Sequence, residues 1–176
     1  MNEIILGITG SIAAYKGAEI ISALKKQNVC VHVIMTQAGM KFITPLTFQT
    51  LTANKVHTDM FDASYTPDVQ HISLAQRASC LCIAPATANI IGKMAMGIAD
   101  DMLSTVAMAF KKPIIVAPAM NTAMFESAAV QENIRILTQR GVCFVEPKTS
   151  MLACGDFGRG ALADVDKIVA EIIRLC

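Results

Sequence analysis

Short apolar runs alternate with amphipathic stretches along this 176-residue chain, and that alternation restricts the fold more than any other feature. The runs at Glu3–Ile8, Val29–Met35, Ser79–Ala84 and Ile114–Ala117 are apolar almost throughout, as in parallel strands covered on both faces. Helical patterns separate these runs, and such an order is typical of an α/β protein. We therefore predict one domain over residues 1–176, a single three-layer α/β/α domain with a parallel sheet of about six strands.

The remaining elements follow from shorter signals. Two more strands are expected, one near Lys55–Thr58 and one at Val142–Val145. In sheets of this type, ligands bind beyond the carboxyl ends of the strands, where the loops gather. Helices are expected at Ser11–Gln27, from Pro45 to about Leu51, at Ile72–Arg77, at about 88–95 and 101–110, at 127–140 and at Asp164–Leu175, with a loop of about fifteen residues before the last helix.

Composition narrows the possible partners. Apolar residues make up 53% of the chain and the net charge is +1, without a basic stripe, which argues against nucleic-acid and membrane-surface binding. The start, Met1–Glu3, lacks the positive region of a signal peptide, and no apolar run reaches a membrane span of roughly 18–20 residues. We expect a cytoplasmic protein. The six cysteines show no zinc spacing, so we expect no metal site and mostly free thiols.

Two loops could hold a phosphate. Gly10, Ser11 and Ile12 follow the first strand and open a helix, so their backbone N–H groups could cradle an anion. The alternative is a plain tight turn between strand and helix. Thr36 ends the second strand, and its hydroxyl either reaches the same ligand or caps the next segment.

Two later strand ends both carry an Ala-Pro-Ala sequence. After the first of them, Thr87, Ala88 and Asn89 leave room for a flat ring, or Thr87 simply caps a helix. After the second come Ala119 and Asn121. The Asn121 amide could grip a carboxylate, or it could cap the following helix.

Two further residue types could carry proton chemistry. His71 precedes a short helix and could hold a carboxylate or move a proton, although a lone histidine is more often a surface or capping residue. Cys154 lies in a glycine-rich loop, where a thiol is more accessible than in a strand. A long glycine-rich loop in a compact domain is often functional, for example as a lid, but an incidental free cysteine is the alternative.

Taken together, these motifs resemble the phosphopantothenoylcysteine decarboxylases, within the homo-oligomeric flavin-containing cysteine decarboxylases. The resemblance covers nearly the whole chain, in the family's order. It is carried by Gly10-Ser11-Ile12-Ala13-Ala14-Tyr15-Lys16, His71-Ile72, Ala84-Pro85-Ala86-Thr87-Ala88-Asn89, Pro118-Ala119-Met120-Asn121-Thr122-Ala123-Met124 and Leu152-Ala153-Cys154-Gly155-Asp156.

The resemblance implies a Rossmann-like sheet, bound FMN, and a homotrimer or homododecamer with sites at subunit contacts. It places Gly10, Ser11 and Ile12 at the FMN phosphate and Thr36 at the phosphate or ribityl chain. The flavin ring would lie against Thr87, Ala88, Asn89 and Ala119. His71 matches the active-site histidine, Asn121 the residue that holds the substrate carboxylate, and Cys154 the acid of the substrate clamp.

The implied activity is that of a carboxy-lyase acting on phosphopantothenoylcysteine, a small-molecule substrate, on the way to coenzyme A. The flavin transiently oxidises the cysteine thiol to a thioaldehyde, CO₂ leaves, and the electrons return. The alternatives are a peptidyl-cysteine decarboxylase of lantibiotic type, a flavin prenyltransferase and a flavin-binding regulatory subunit without catalysis. One departure concerns Arg159: the family usually reads Gly-x-Gly-Arg-Met here, whereas this chain has Gly158-Arg159-Gly160-Ala161-Leu162. Arg159 could replace the missing arginine.

Overall fold

A six-stranded parallel sheet forms the centre of the protein in a computed structural model that describes residues 3–61, 70–153 and 155–176. The strand order is β3-β2-β1-β4-β5-β6. This confirms the predicted α/β class and strand number. The strands are β1 (Glu3–Ile8), β2 (Cys30–Met35), β3 (Val56–His57), β4 (Cys80–Ala86), β5 (Ile114–Pro118) and β6 (Cys143–Phe144).

Helices cover both faces of this sheet and give the three predicted layers. One core packs α1, α2 and α8 on one face, and a second core packs α3, α4, α5 and α7 on the other. The helices are α1 (Lys16–Lys26), α2 (Pro45–Thr52), α3 (Gln70–Arg77), α4 (Ala88–Met96), α5 (Met102–Ala109), α6 (Thr122–Glu126), α7 (Ala128–Gln139) and α8 (Val165–Leu175).

The first strand shows why uniformly apolar runs form this sheet. Ile4, Leu6 and Ile8 belong to the first core, and Ile5 belongs to the second. Successive side chains of a strand point to opposite faces, so a strand with helices on both sides needs apolar residues at every position. β1 lies between β2 and β4, and its carboxyl end therefore opens at the middle of the sheet edge.

The prediction of a long loop before the last helix is wrong. Its residues form an antiparallel hairpin of β7 (Lys148–Met151) and β8 (Phe157–Ala161), which makes a second, two-stranded sheet. The helix expected from Ser11 also differs, because a 3-10 turn at Ile12–Tyr15 precedes α1. These differences lie next to the carboxyl edge of the main sheet and shape the candidate site.

One pair of cysteines departs from the free-thiol state that is expected for most of them. Cys80, which is fully buried in β4, forms a disulfide with Cys176 at the end of α8. Cys30, Cys82 and Cys143 are free thiols, and Cys154 lies outside the described residues.

Membrane-spanning helices and clusters of metal-binding side chains are both absent from the described part of the chain. No helix there has the length and apolar character needed to span a bilayer. No group of three or more His, Cys, Asp or Glu side chains there could hold a metal ion.

Candidate active site

A cavity of about 550 Å³ opens at the carboxyl edge of the sheet, between the strand-end loops and the hairpin. It brings together six of the predicted site residues: Gly10, Ser11, Ile12, Thr87, Ala119 and Asn121. The other described lining residues are Ala13, Tyr15, Lys16, Met120, Met124, Lys148, Ser150, Met151, Leu152, Ala153, Gly160, Ala161 and Leu162.

The loop after β1 is shaped by close packing and by a cap. A Cβ atom on Gly10 would lie 2.5 Å from the Cβ atom of Ala38, so only glycine allows the loops after β1 and β2 to approach this closely. The Ser11 hydroxyl accepts a hydrogen bond of 3.3 Å from the N–H of Ala13. This loop is a capped turn that also forms part of the cavity wall. Its binding of an anion stays a prediction.

Thr9 is a residue of this region that the sequence analysis did not assign. Its side chain is 1% exposed, and its hydroxyl donates a hydrogen bond of 2.7 Å to the carbonyl oxygen of Pro85. The hydroxyl oxygen of Thr9 also accepts a hydrogen bond of 3.0 Å from the N–H of Thr87. Thr9 therefore fixes the loop after β1 against the loop after β4.

Thr87, directly before α4, lines the cavity. Thr87 is the N-cap residue, but its side chain makes no capping hydrogen bond to the first turn. The first N–H groups of a helix have no partner within the helix, so an uncapped start favours a polar ligand. The described lining residues do not include Ala88 or Asn89. Their assignment to the flavin ring stays a prediction.

The Thr36 hydroxyl is engaged in local contacts. It accepts a hydrogen bond of 3.1 Å from the N–H of Gly39 and lies 3.5 Å from the carbonyl oxygen of Ile8, to which it donates. Thr36 is not one of the described residues that line the cavity. The capping interpretation therefore fits the geometry. The contact of Thr36 with the phosphate or ribityl chain stays a prediction.

Asn121 combines the two roles that the sequence left open. Its Oδ1 atom accepts a hydrogen bond of 2.8 Å from the N–H of Ala123, which caps α6, and the residue also lines the cavity. The neighbouring Ala119 is 4% exposed, and its N–H donates to the carbonyl oxygen of Ala86 at 3.0 Å. The cap fixes the Asn121 side chain at the cavity wall.

Glycines dock the hairpin onto the Asn121 loop. A Cβ atom on Gly158 would lie 2.3 Å from Oγ1 of Thr122, and one on Gly160 would lie 2.3 Å from the carbonyl oxygen of Met120. The N–H of Met120 also donates to the carbonyl oxygen of Gly160 at 2.9 Å. The hairpin thus approaches the loop closely because both positions lack side chains.

Arg159 serves this docking from the opposite side of the strand. Its guanidinium forms an ion pair with Glu146 and lies 5.1 Å from the ring centre of Phe125. Arg159 is not among the described lining residues. In this chain it packs the hairpin against α6, which gives no support to a role as a replacement for the clamp arginine.

Of the two residues assigned to proton chemistry, the structure describes only His71, and His71 does not line the cavity of this chain. His71 lies in the first turn of α3, is partly buried and is not a described lining residue. Cys154 lies outside the described residues, although its neighbours Leu152 and Ala153 line the cavity. The roles of His71 and Cys154 therefore stay predictions.

Two cations line the cavity. Lys16 and Lys148 are the only side chains charged at neutral pH among the described lining residues, and Lys148 also pairs with Asp164, which lies outside that set. Apolar and small residues make up most of the remaining wall. Such a surface is suited to an anionic ligand that has a flat or apolar portion.

The chain is similar in sequence to one protein family and to several known proteins. Residues 1–176 match the protein family described as Flavoprotein. The probable phosphopantothenoylcysteine decarboxylase of Streptococcus mutans is 43% identical over 172 residues, which is 97% of this chain and 96% of that protein. The coenzyme A biosynthesis bifunctional protein CoaBC of Bacillus subtilis is 45% identical over 167 residues, and this match spans 95% of this chain but 41% of that protein.

The fold is also similar to those of solved decarboxylase structures. A PPC decarboxylase mutant complexed with pantothenoylaminoethenethiol superposes with a TM-score of 0.89 at 29% identity, covering 98% of this chain and 97% of that one. The FMN-dependent cysteine decarboxylase SpaF superposes with a TM-score of 0.86 at 30% identity, covering 99% of this chain and 97% of that one.

Proposed function

This chain belongs to the Flavoprotein family, and from that premise we propose that it is the decarboxylase that converts 4'-phosphopantothenoyl-L-cysteine to 4'-phosphopantetheine in coenzyme A biosynthesis. The observation that carries the proposal is the 43% identity to the Streptococcus mutans protein over almost the full length of both chains. Residues 1–176 then act as one flavin-dependent cysteine decarboxylase domain.

The residues at the cavity fit FMN, the cofactor named for the structural relative SpaF. The side chain of Thr87 does not cap the first turn of α4, and Gly10 keeps the first loop free of a side chain where it meets Ala38. Gly10, Ser11 and Ile12 would hold the phosphate, while Thr87 and Ala119 would lie against the ring. Thr36, Ala88 and Asn89 are further proposed contacts.

The chemical difficulty lies in the electrons of the breaking bond. Loss of CO₂ from an ordinary cysteine carboxylate leaves a carbanion that nothing stabilises. When bound, FMN supplies the transient oxidation of the thiol-bearing carbon to a thioaldehyde, which accepts these electrons. The net redox change is zero, so the reaction needs no external oxidant.

The side chains of this chain orient the substrate and move its protons. Asn121, fixed by its bond to the N–H of Ala123, presents its amide to the substrate carboxylate. His71 acts at the thiol or carboxylate, and Cys154 donates the proton that completes the saturated thiol. The small residues at the hairpin leave room for the substrate between the cavity wall and the cofactor.

A homo-oligomer accounts for the position of His71. The cavity of one chain does not include this residue among its described walls. A neighbouring subunit placed against the cavity would supply the histidine, as in a trimer or dodecamer with sites at subunit contacts. Large exposed apolar side chains close to the cavity, such as Ile12, Tyr15, Met124 and Met151, would be buried by this contact.

The likeness to the FMN-dependent cysteine decarboxylase SpaF fits a second candidate as well, the peptidyl-cysteine decarboxylase of lantibiotic type that the sequence left as an alternative. A third reading, a flavin-binding subunit without catalysis, is weakened because His71, Asn121 and Cys154 are all present in the sequence. The flavin prenyltransferase reading lacks support from the relatives described above. A cytoplasmic location remains a prediction from the sequence.

A substrate competition separates these candidates. Purified yellow protein is mixed with phosphopantothenoylcysteine or with a peptide ending in cysteine, and CO₂ is measured. We expect CO₂ from phosphopantothenoylcysteine and at least about 100-fold less from the peptide, a discrimination that a site built around one charged group can reach. Preference for the peptide would support the second candidate, and a flavin spectrum without CO₂ from either would support the third.

A further inference from the structure

The proposed chemistry does not use the two cations of the cavity. Lys16 and Lys148 line the cavity, and Asp164, the ion-pair partner of Lys148, is not one of the described lining residues. The decarboxylation takes place at the cysteine end of the substrate. The phosphate lies at the other end of an extended, amide-linked arm, and a phosphate of this kind requires a cation or backbone N–H groups.

Lys148 lies at the base of the hairpin whose distal part leads to residue 154. It is the first residue of β7 and pairs in register with Ala161. Ser150, Met151 and Leu152 continue the same wall of the cavity toward the far end of the hairpin. The three residue steps from Lys148 to Met151 span about 10 Å of strand. One wall therefore begins at a cation, Lys148, and continues to Leu152 and Ala153, which precede Cys154 in the sequence.

The present partner of Lys148 can be exchanged at low cost. Its Nζ atom donates to Oδ1 of Asp164 at 2.7 Å, and the two side chains are 38% and 52% exposed. The pKa of Asp164 lies below its ordinary value because of the hydrogen bond and charge of Lys148, with additional effects from the charges of Lys167 and Lys16. Asp164 thus keeps two cationic neighbours when Lys148 turns away, and exposed ion pairs contribute little.

Lys16 is the weaker candidate for the substrate phosphate. It begins α1, directly after the 3-10 turn that starts at Ile12, so it belongs to the loop proposed for the cofactor phosphate. Lys148 belongs to the hairpin instead. The two cations of the cavity are therefore attached to different elements, one on the cofactor loop and one on the proposed substrate clamp.

We propose that Lys148 determines substrate specificity by exchanging the Asp164 carboxylate for the terminal phosphate of the substrate. The proposal rests on the proposed function, because only a phosphorylated pantothenoyl substrate brings this dianion. A peptide ending in cysteine has no such group at that distance. The positive charge of Lys148 therefore favours phosphorylated substrates over the peptide class.

The test compares Lys148→Met with Lys148→Arg, and uses Lys167→Met as the matched control because Lys167 also lies near Asp164 but is not a described lining residue. Steady-state kinetics are measured with phosphopantothenoylcysteine and with pantothenoylcysteine, which lacks the phosphate. For Lys148→Met we expect KM for the phosphorylated substrate to rise about tenfold, the size of one charge-assisted hydrogen bond at a partly exposed site. KM for the other substrate changes less than about twofold, and Lys148→Arg restores most of the difference.

A separate titration of the cofactor-free protein with FMN distinguishes the two phosphates. We expect the Kd of FMN for Lys148→Met to stay within about twofold of the wild-type value. Weaker FMN binding would assign Lys148 to the cofactor and overturn the proposal. Equal rises in KM for both substrates, or no rise for either, would also overturn it while leaving the proposed function intact. Absence of turnover by the wild-type protein with either substrate would remove the proposed function itself.

Discussion

The hydroxyl of Thr9 donates a hydrogen bond of 2.7 Å to the carbonyl oxygen of Pro85, and this bond joins the carboxyl ends of two neighbouring strands. The hydroxyl oxygen of Thr9 also accepts a hydrogen bond from the N–H of Thr87, so this one buried atom connects both loops. One loop carries the proposed phosphate contacts and the other the proposed ring contacts. Thr9 therefore adds to the pairing of β1 with β4 in fixing the spacing between these two parts of the proposed cofactor site.

Replacement of Thr9 by valine is expected to weaken cofactor binding and folding together. Valine matches the shape but leaves the carbonyl of Pro85 and the N–H of Thr87 without this partner. We expect the free energy of unfolding to fall by about 2 kcal/mol and the Kd of FMN to rise about tenfold. Thr9→Ser keeps the hydroxyl and serves as control. Urea unfolding and a fluorescence titration with FMN measure the two effects, and equal FMN affinities of the two variants would contradict the assigned role.

Substitution of Asn121 can separate its cap from its contact with the substrate. Asn121→Asp keeps an oxygen acceptor for the N–H of Ala123 but loses the amide donor and adds a negative charge beside the substrate carboxylate. We expect stability to stay within about 0.5 kcal/mol of the wild-type value, and the rate of CO₂ release to fall about 100-fold. Asn121→Ala should lose about 1 kcal/mol as well, since the cap is removed. A fully active aspartate variant would show that Asn121 is only a cap.

A methyl group at Gly158 is expected to lift the hairpin from the Asn121 loop. The added Cβ atom would lie 2.3 Å from Oγ1 of Thr122, which is too close for either atom to remain in place. We expect KM for phosphopantothenoylcysteine to rise at least about tenfold while FMN remains bound. Kinetics and the flavin absorption of the purified variant measure both quantities.

Gly92→Ala is the matched control for this substitution. Gly92 lies inside α4, and its added Cβ atom would be 3.6 Å from the nearest atom, Nδ2 of Asn133. We expect this variant to be more stable by about 0.5–1 kcal/mol, because alanine has the higher helix propensity. An unchanged KM for Gly158→Ala, alongside a normal Gly92→Ala protein, would contradict the close docking of the hairpin.

A cluster away from the cavity predicts a pH effect on stability. Glu171 accepts a hydrogen bond of 2.9 Å from Arg174 and one of 2.8 Å from the Cys143 thiol, and these lower its pKa to about 2. A carboxylate with a lowered pKa stabilises the folded state above its unfolded pKa of about 4.3, and this contribution is lost as the pH falls toward 2. We expect Glu171→Gln to cost about 1 kcal/mol at pH 7.

The same variant is compared with the wild-type protein by urea unfolding between pH 7 and pH 3. We expect the difference in unfolding free energy to shrink as the pH falls below about 4. Glu132→Gln, which breaks an exposed ion pair with Arg135, serves as the control with a smaller effect. A difference that stays constant with pH would contradict the role of the Glu171 charge.

The longer strands of the main sheet, β1, β2, β4 and β5, could be predicted because burial on both faces makes them apolar almost throughout. The hairpin could not. Its strand β8, Phe157–Ala161, contains two glycines and an arginine, and it extends along the Asn121 loop only because those glycines permit the approach. This contact joins β8 to a distant segment of the chain, so the local sequence pattern does not predict it.

The same limit applies to parts of the site. The strand-end motifs located the cavity because parallel strands end at one edge of the sheet. Thr9 was missed because its partners Pro85 and Thr87 lie 76 and 78 residues away in the sequence. The Cys80–Cys176 disulfide spans 96 residues, and the spacing of the cysteines gave no sign of it.

The central claim is that this chain uses FMN to remove CO₂ from phosphopantothenoylcysteine and then reprotonates the product. The most direct test is an anaerobic reaction of the wild-type and Cys154→Ser proteins with this substrate, followed by CO₂ measurement, mass spectrometry and flavin absorption. We expect the wild type to give CO₂ and saturated 4'-phosphopantetheine without any added oxidant. The variant should release CO₂ but accumulate the unsaturated thiol, with loss of flavin absorption. No CO₂ from the wild-type protein would contradict the function, and saturated product from Cys154→Ser at the normal rate would contradict the role of the thiol.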